Sequence, residues 1–187
     1  KETLDIVTMV YGGLVNKQLV ASLQNMGINA IGLTGADGGW MKAVKRPVKN
    51  GIDYGFVGDI TEVRGDVLRM LLDEGMTPVI APITFCQEGV LLNTNADTIA
   101  SETAISLAPD VQLTFCFEKA GVLRDADDES SLIPSITPES YTQLKADGIV
   151  SGGMIPKIDN AFAAIEHGVQ SVRITHASNL QGGTIIE

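Results

Sequence analysis

Lys157 closes the stretch "SGGMIPK" (151–157), where Gly152 and Gly153 allow a backbone to come close to a ligand. The residues that follow predict a helix starting near this lysine. A cation meets the positive end of the dipole there, an arrangement that makes sense when an anion occupies the same end. A second constellation, "LLNTNAD" (91–97), spaces Asn93, Asn95 and Asp97 two apart where a strand-like run hands over to a helix. A single Asn or Asp would cap that helix by accepting from its first free N–H groups. Three polar side chains exceed what a cap needs, and a carboxylate among amides can hold a lysine in place. On spacing alone the bland readings, an exposed lysine and a simple cap, stay open beside the functional ones.

Two further junctions carry suitable chemistry, "GLTGADGG" (32–39) and "EKAGVLRDAD" (118–127). In open α/β sheets ligands lie outside the carboxyl ends of strands, against helix N-termini. Neither the phosphate-loop pattern GxxxxGK[ST] nor the dinucleotide pattern GxGxxG occurs, so a nucleotide does not follow from motif spacing alone. There is no GxSxG for a nucleophilic serine. His167 reads as a favourable charge at a helix C-terminus, and His176 has no evident partner in sequence.

The elements that must position these groups follow a βαβ rhythm. Residues 2 to 26 have helical apolar spacing, with Gly12 and Gly13 predicting a break or close packing (each costs about 1 kcal/mol against Ala). "NAIGL" predicts a buried strand, residues 41 to 60 a hairpin, and 66 to 72 a helix. "TPVIAPI" predicts one continuous central parallel strand covered on both faces. A helix over about 96–107 and the strand "VQLTFCF" come next, then a solvated acidic loop, "RDADDESS". "TPESYTQLKADG" carries full helix signals, with Thr137 as N-cap and Pro138 at the first position. "KIDNAFAAIEHG" predicts a further helix, and "VQSVRIT" a closing strand.

The 187 residues suffice for one substantial α/β core. A formal charge of −10 argues against a nucleic-acid or anionic-membrane surface, since phosphate contacts need clustered Lys and Arg. Cys86 and Cys116 are the only cysteines, with no CxxC and no His/Cys cluster, which suggests neither a metal site nor a disulfide. A reducing cytoplasm fits. Uninterrupted apolar runs such as "PVIAPITF" are too short to span a bilayer. The opening "KETLDIVT" lacks the pattern of a signal peptide and reads as a chain entered part-way.

"GLTGAD", "NTNADTIA", "AGVL", "GGMIPK" and "GGTII", in this order and spacing, resemble the N-acetylglutamate kinase family of the amino acid kinase superfamily. The resemblance runs from Val7 to Ile186, and "GGMIPK" and "NTNAD" are its most specific parts. It implies a three-layer αβα sandwich with a mostly parallel central sheet. Residues 1–95 would be the remainder of the amino-acid-binding part and 96–187 the nucleotide-binding part. It also implies ATP with Mg²⁺ as phosphoryl donor, an N-acylglutamate as acceptor, and a homodimer packed through the helix at 2 to 26.

Carried over by residue, Lys157 would stabilise the transferring phosphoryl group and Asp97 would orient catalytic lysines. Asn93, with Asn95, would contact the acyl-amino acid. Ala120, Gly121 and Val122, with Gly152, Gly153 and Met154, would contact the nucleotide. Two features depart from the family pattern. An N-terminal lysine-glycine loop and a substrate arginine do not appear in this sequence. Phe115, Cys116 and Phe117 stand near a position where the family commonly has an aspartate. The acyl group, acetyl or succinyl, is not distinguished. Another amino acid kinase, or a nucleotide-binding remnant without catalysis, are the competing readings.

Overall fold

The computed structural model describes Lys1–Glu187, which group into two units, Lys1–Ile99 and Ala100–Glu187. In the first, a helical run comprises α1 (Glu2–Val7), a π-helical stretch (Thr8–Val15) and α2 (Asn16–Asn25). Of the break or close packing expected at Gly12 and Gly13, the helix shows no break but widens, and a Cβ at Gly12 would lie 3.6 Å from Thr34 Cγ2. The strands of this unit are β1 (Ala30–Leu33), β2 (Met41–Lys45), β3 (Gly58–Val63), β4 (Thr77–Ile80), β5 (Ile83–Phe85) and β6 (Leu91–Asn93). Helix α3 (Gly65–Asp73) precedes β4.

The run "TPVIAPI" is not one strand. Its first half pairs in parallel with β1, while its second half joins the ladder β3-β2-β5-β6. Pro82 supplies no N–H at the crossing, and Ala81 donates its own to Leu33. Nor is the first half covered on both faces, since Pro78, Val79 and Ile80 are only half-buried. Trp40, Met41, Leu68, Ile83 and Leu92 form the most deeply buried part of this unit.

Helix α4 (Ala96–Leu107) leads into the second unit, which continues with β7 (Gln112–Phe117), β8 (Ser135–Ile136), α5 (Pro138–Ala146), α6 (Met154–Glu166), β9 (Ser171–His176) and β10 (Thr184–Ile186). Its strands run in the order β7-β9-β10-β8. Sequence reasoning missed β8 and β10, which are only two and three residues long. Across the molecule β1–β4, β2–β5, β7–β9 and β8–β10 are parallel, and β2–β3, β5–β6 and β9–β10 are antiparallel.

The signals read at α5 are realised as a capping box: Thr137 Oγ1 accepts from the Ser140 N–H at 3.3 Å, and Ser140 Oγ from the Thr137 N–H at 2.9 Å. Helix α6 buries Ile158, Ala161 and Ala164 completely against a core containing Phe115, Ile136, Val172 and Ile174.

The run Glu2–Asn25 is long and apolar enough to cross a bilayer by length and composition, with a mean hydropathy of 1.2 in its most apolar window. Polar residues punctuate it, so no single apolar run revealed this in sequence. Ile6, Met9, Val10, Tyr11, Leu14 and Leu19 are exposed along it. Other contacts tie it to the sheet: Asn16 Nδ2 donates to the Val79 carbonyl at 2.8 Å, and Lys17 Nζ to that of Gly32 at 3.0 Å.

Candidate active site

The polar cluster at the end of β6 is built around a residue that sequence reasoning passed over. Thr94 is buried, and its hydroxyl lies 2.8 Å from that of Thr84 and 3.3 Å from the Gly58 carbonyl, to which it donates. A Cβ at Gly58 would lie 2.8 Å from both hydroxyls, so only glycine permits this approach. With Thr94 turned inward, Asn93 and Asn95 on either side are exposed.

The three polar residues then separate by role. Asn95 Oδ1 accepts from the Thr98 N–H at 3.0 Å and from the Thr98 hydroxyl at 3.4 Å, and so caps α4. Asp97 is half-buried in the first turn of α4, where the dipole favours a carboxylate. Asn93 donates its backbone N–H to the Phe56 carbonyl at 2.8 Å. It also lines a cavity of about 390 Å³ with Leu4, Val7, Tyr54 and Val57. Lys1 and Asp53 also line it, so the cavity combines apolar side chains with both signs of charge and the Asn93 amide.

In the second unit, Gly121, Val122 and Met154 line one cavity of about 130 Å³, together with Phe117, Lys119 and Ile149. The loop "AGVL" and the turn "SGGM" therefore converge, although 27 residues lie between Leu123 and Ser151. Ala120 is half-buried at the edge of this loop. Gly121 is demanded by the protein itself: a Cβ there would sit 2.6 Å from Leu132 Cδ1 and 2.8 Å from Thr184 Oγ1. The Val122 N–H is donated to Thr184 Oγ1 at 2.9 Å, so it is committed to the fold. Thr184 lies within "GGTII", but its role was not legible there, because it depends on a three-residue strand far along the chain from the loop it holds.

Gly152 and Gly153 differ from Gly121. Gly152 has φ +54°, and a Cβ at either position would meet nothing within 4 Å. This turn leaves open space before the first turn of α6. Gly153 is the N-cap of α6 and supplies no side-chain bond, so the orphan N–H groups of the helix start are not capped by a side chain. Lys157 is the fourth residue of α6, slightly later than sequence spacing places it. Its ammonium lies 4.8 Å from the centroid of the buried Phe115 ring. Such a contact contributes roughly 0.5–1 kcal/mol and directs the amine without neutralising it.

The histidines are local. His167 Nδ1 lies 2.7 Å from the Ala163 carbonyl at the end of α6. His176 does have a partner: its Nδ1 accepts from the Ser178 N–H at 3.1 Å and lies 2.7 Å from Ser178 Oγ. No group of three or more His, Cys, Asp or Glu is placed to hold a metal ion.

Comparisons with known proteins identify the family. The model of the amino acid kinase family matches residues 1–176. The chain is 57% identical over 190 residues to acetylglutamate kinase of Phocaeicola vulgatus, covering 100% of this chain and 74% of that protein. It is also 57% identical to acetylglutamate kinase of Cytophaga hutchinsonii, covering 96% of this chain and 69% of that one. The crystal structure of smu.665 from Streptococcus mutans UA159 superimposes with a TM-score of 0.85 at 29% identity, over 100% of this chain and 72% of the other. That match shows the amino acid kinase fold, a mixed α/β architecture with a central sheet flanked by helices. The chain belongs to the amino acid kinase family and, within it, to the acetylglutamate kinases.

Proposed function

We propose that this chain catalyses ATP-dependent phosphorylation of the side-chain carboxylate of N-acetylglutamate, giving the acyl phosphate, as a cytoplasmic step of arginine biosynthesis. The observation that carries the site assignment is the convergence of "AGVL" and "SGGM" on one cavity, with Lys157 on the helix that leaves it. Residues 96–187 would bind the nucleotide and residues 1–95 the acyl-amino acid.

The reaction asks little covalent chemistry of the protein. The acceptor carboxylate is already ionised, so neither a protein nucleophile nor a strong base is needed. Catalysis consists of positioning and of neutralising phosphate charge. Gly152 and Gly153 would admit the phosphates to the open start of α6, where backbone N–H groups and the dipole favour negative charge. Lys157 would add a full charge as the phosphoryl group moves. Asp97 would hold lysine side chains in line, and Asn93 would orient the acyl-amino acid in its cavity. Mg²⁺ neutralises phosphate oxygens when bound. It usually keeps several waters and takes one or two carboxylates plus substrate phosphates, so a chain without an acidic cage fits an ion that enters with the nucleotide.

A second copy of the chain would cover the exposed apolar stripe on residues 2–25, giving a homodimer. The bonds of Asn16 and Lys17 to sheet carbonyls favour this over a bilayer, because they hold the helix against its own domain. Sedimentation equilibrium showing only monomer at high concentration would overturn the dimer. For the activity, incubation with N-acetylglutamate, ATP and Mg²⁺ and trapping with hydroxylamine should give a hydroxamate that depends on all three. No acylglutamate-dependent product from folded protein would sink the kinase reading.

A further inference from the structure

Tyr141 lies on α5, 5% exposed, within the core of the second unit. Its ring packs against Phe162 with centroids 5.4 Å apart, and Lys145 Nζ sits 3.9 Å from its centroid. Phenylalanine would fill this place equally well and would need no hydrogen-bond partner. The hydroxyl nevertheless has two, and both are on the opening turns of α6. Its one proton goes to Asp159 Oδ1 at 2.7 Å, with the Ile155 carbonyl at 3.2 Å as a second acceptor. Burial and the bond to Asp159 push the phenol's pKa up, so the hydroxyl remains a donor at neutral pH.

The start of α6 needs such a tie. Gly153 provides no side-chain cap, Pro156 has no N–H, and the entry turn rests on backbone bonds from Met154 to Ser151 at 3.1 Å and from Ile155 to Gly152 at 3.3 Å. Residues 155 and 159 are one turn apart on one side of the helix, and Lys157 projects from roughly the opposite side. Its amine reaches Phe115 there. We propose that Tyr141 is a positioning residue for Lys157, its hydroxyl fixing the rotation of α6 about its own axis and so the place of the lysine amine.

The lever is direct. A roll of about 10° moves a point roughly 6 Å from the helix axis by about 1 Å. A misplacement of about 1 Å can cost on the order of 10²-fold in rate. The role rests on the kinase reading for its catalytic consequence, but its structural half does not.

Tyr141→Phe removes the hydroxyl and keeps both ring contacts. With N-acetylglutamate and MgATP, kcat should fall about 10-fold or more while both KM values change less than about twofold. In a Lys157→Ala background the same substitution should cost nothing further, whereas a general loss of packing would lower the rate again. Asp159→Ala should reproduce the fall, and Asp159→Asn, which keeps an oxygen acceptor, should fall less. Independently of turnover, lysine-labelled protein should show a Lys157 ε-methylene resonance shifted by the Phe115 ring, identified by its loss in Lys157→Arg. Tyr141→Phe should move that resonance toward those of solvated lysines. An unchanged resonance overturns the proposal, as do additive losses in the Lys157→Ala background. If the unmodified protein shows no acylglutamate-dependent turnover, the kinase reading fails while the resonance still decides whether Tyr141 places Lys157.

Discussion

The Thr184 hydroxyl accepts the Val122 N–H at 2.9 Å and donates to the Ile133 carbonyl at 2.6 Å, joining the loop that lines the candidate nucleotide cavity to a strand near the end of the sequence. Both bonds are buried. Thr184→Val keeps the shape and strands a donor and an acceptor, each costing about 1–3 kcal/mol when left unsatisfied. Urea unfolding should show a loss of about 2–6 kcal/mol for the two together, and ADP affinity should weaken with it. Stability within about 0.5 kcal/mol of the parent would show that the pair contributes little.

Gly121 and Gly153 should respond oppositely to the same change. Gly121→Ala forces a Cβ against Leu132 and Thr184 and should destabilise by about 1–3 kcal/mol through overpacking. Gly153→Ala meets open space, so the melting temperature should barely move. If phosphates fill that space, calorimetric affinity for ADP should still drop several-fold. Unchanged affinity in a folded Gly153→Ala protein would remove this turn from the nucleotide site.

Lys157 and the two asparagines of the β6–α4 junction should separate by what their loss changes. Lys157→Met, acting chiefly in the transition state, should lower kcat by about 10²–10³ with a smaller change in KM. Asn93→Ala should raise KM for N-acetylglutamate and leave that for the nucleotide nearly unchanged. Asn95→Ala should cost stability instead, about 1 kcal/mol for a lost cap. A KM effect at Asn95 equal to that at Asn93 would mean it touches substrate as well.

Alkaline titration tests the bond between Tyr141 and Asp159. The phenol's pKa is raised in the folded state, so its stabilisation is fully present below the unfolded value of about 10 and is lost as pH climbs through the folded value. The rise in phenolate absorbance of the folded protein over about pH 9–11 should therefore be unchanged by Tyr141→Phe. A smaller rise in Tyr141→Phe than in the parent over that range would contradict the buried bond.

What the sequence revealed depended on how local each signal was. Thr137, Pro138 and the glycine after α5 act within one helical turn, and their reading matched the structure. The helix at 96–107 was equally clear, since its N-cap Asn95 lies immediately before it. Thr94 and Thr184 fall within "NTNAD" and "GGTII", but their roles were hidden because their partners, Thr84, Gly58, Val122 and Ile133, are distant in sequence or ordinary in type. Apolar periodicity also overreached at "TPVIAPI", where residue types suit a strand throughout and only Pro82 hints at a change of partner. The cluster at Asn93–Asp97 was legible as a place, while its division between cap and cavity emerged only from the bonds of Asn95.

The crossing at Ala81–Pro82 makes one short stretch answer to two separate registers. β4 is aligned residue by residue with β1, and β5 opposes Asn93, Leu92 and Leu91 of β6. Only two residues lie between them, so there is no slack to absorb a length change. A single insertion or deletion there would either slip β5 by one place and turn Ile83 out of the core, or drag Asn93 off its cavity. The junction should thus tolerate exchange of side chains far more readily than any change in the number of residues.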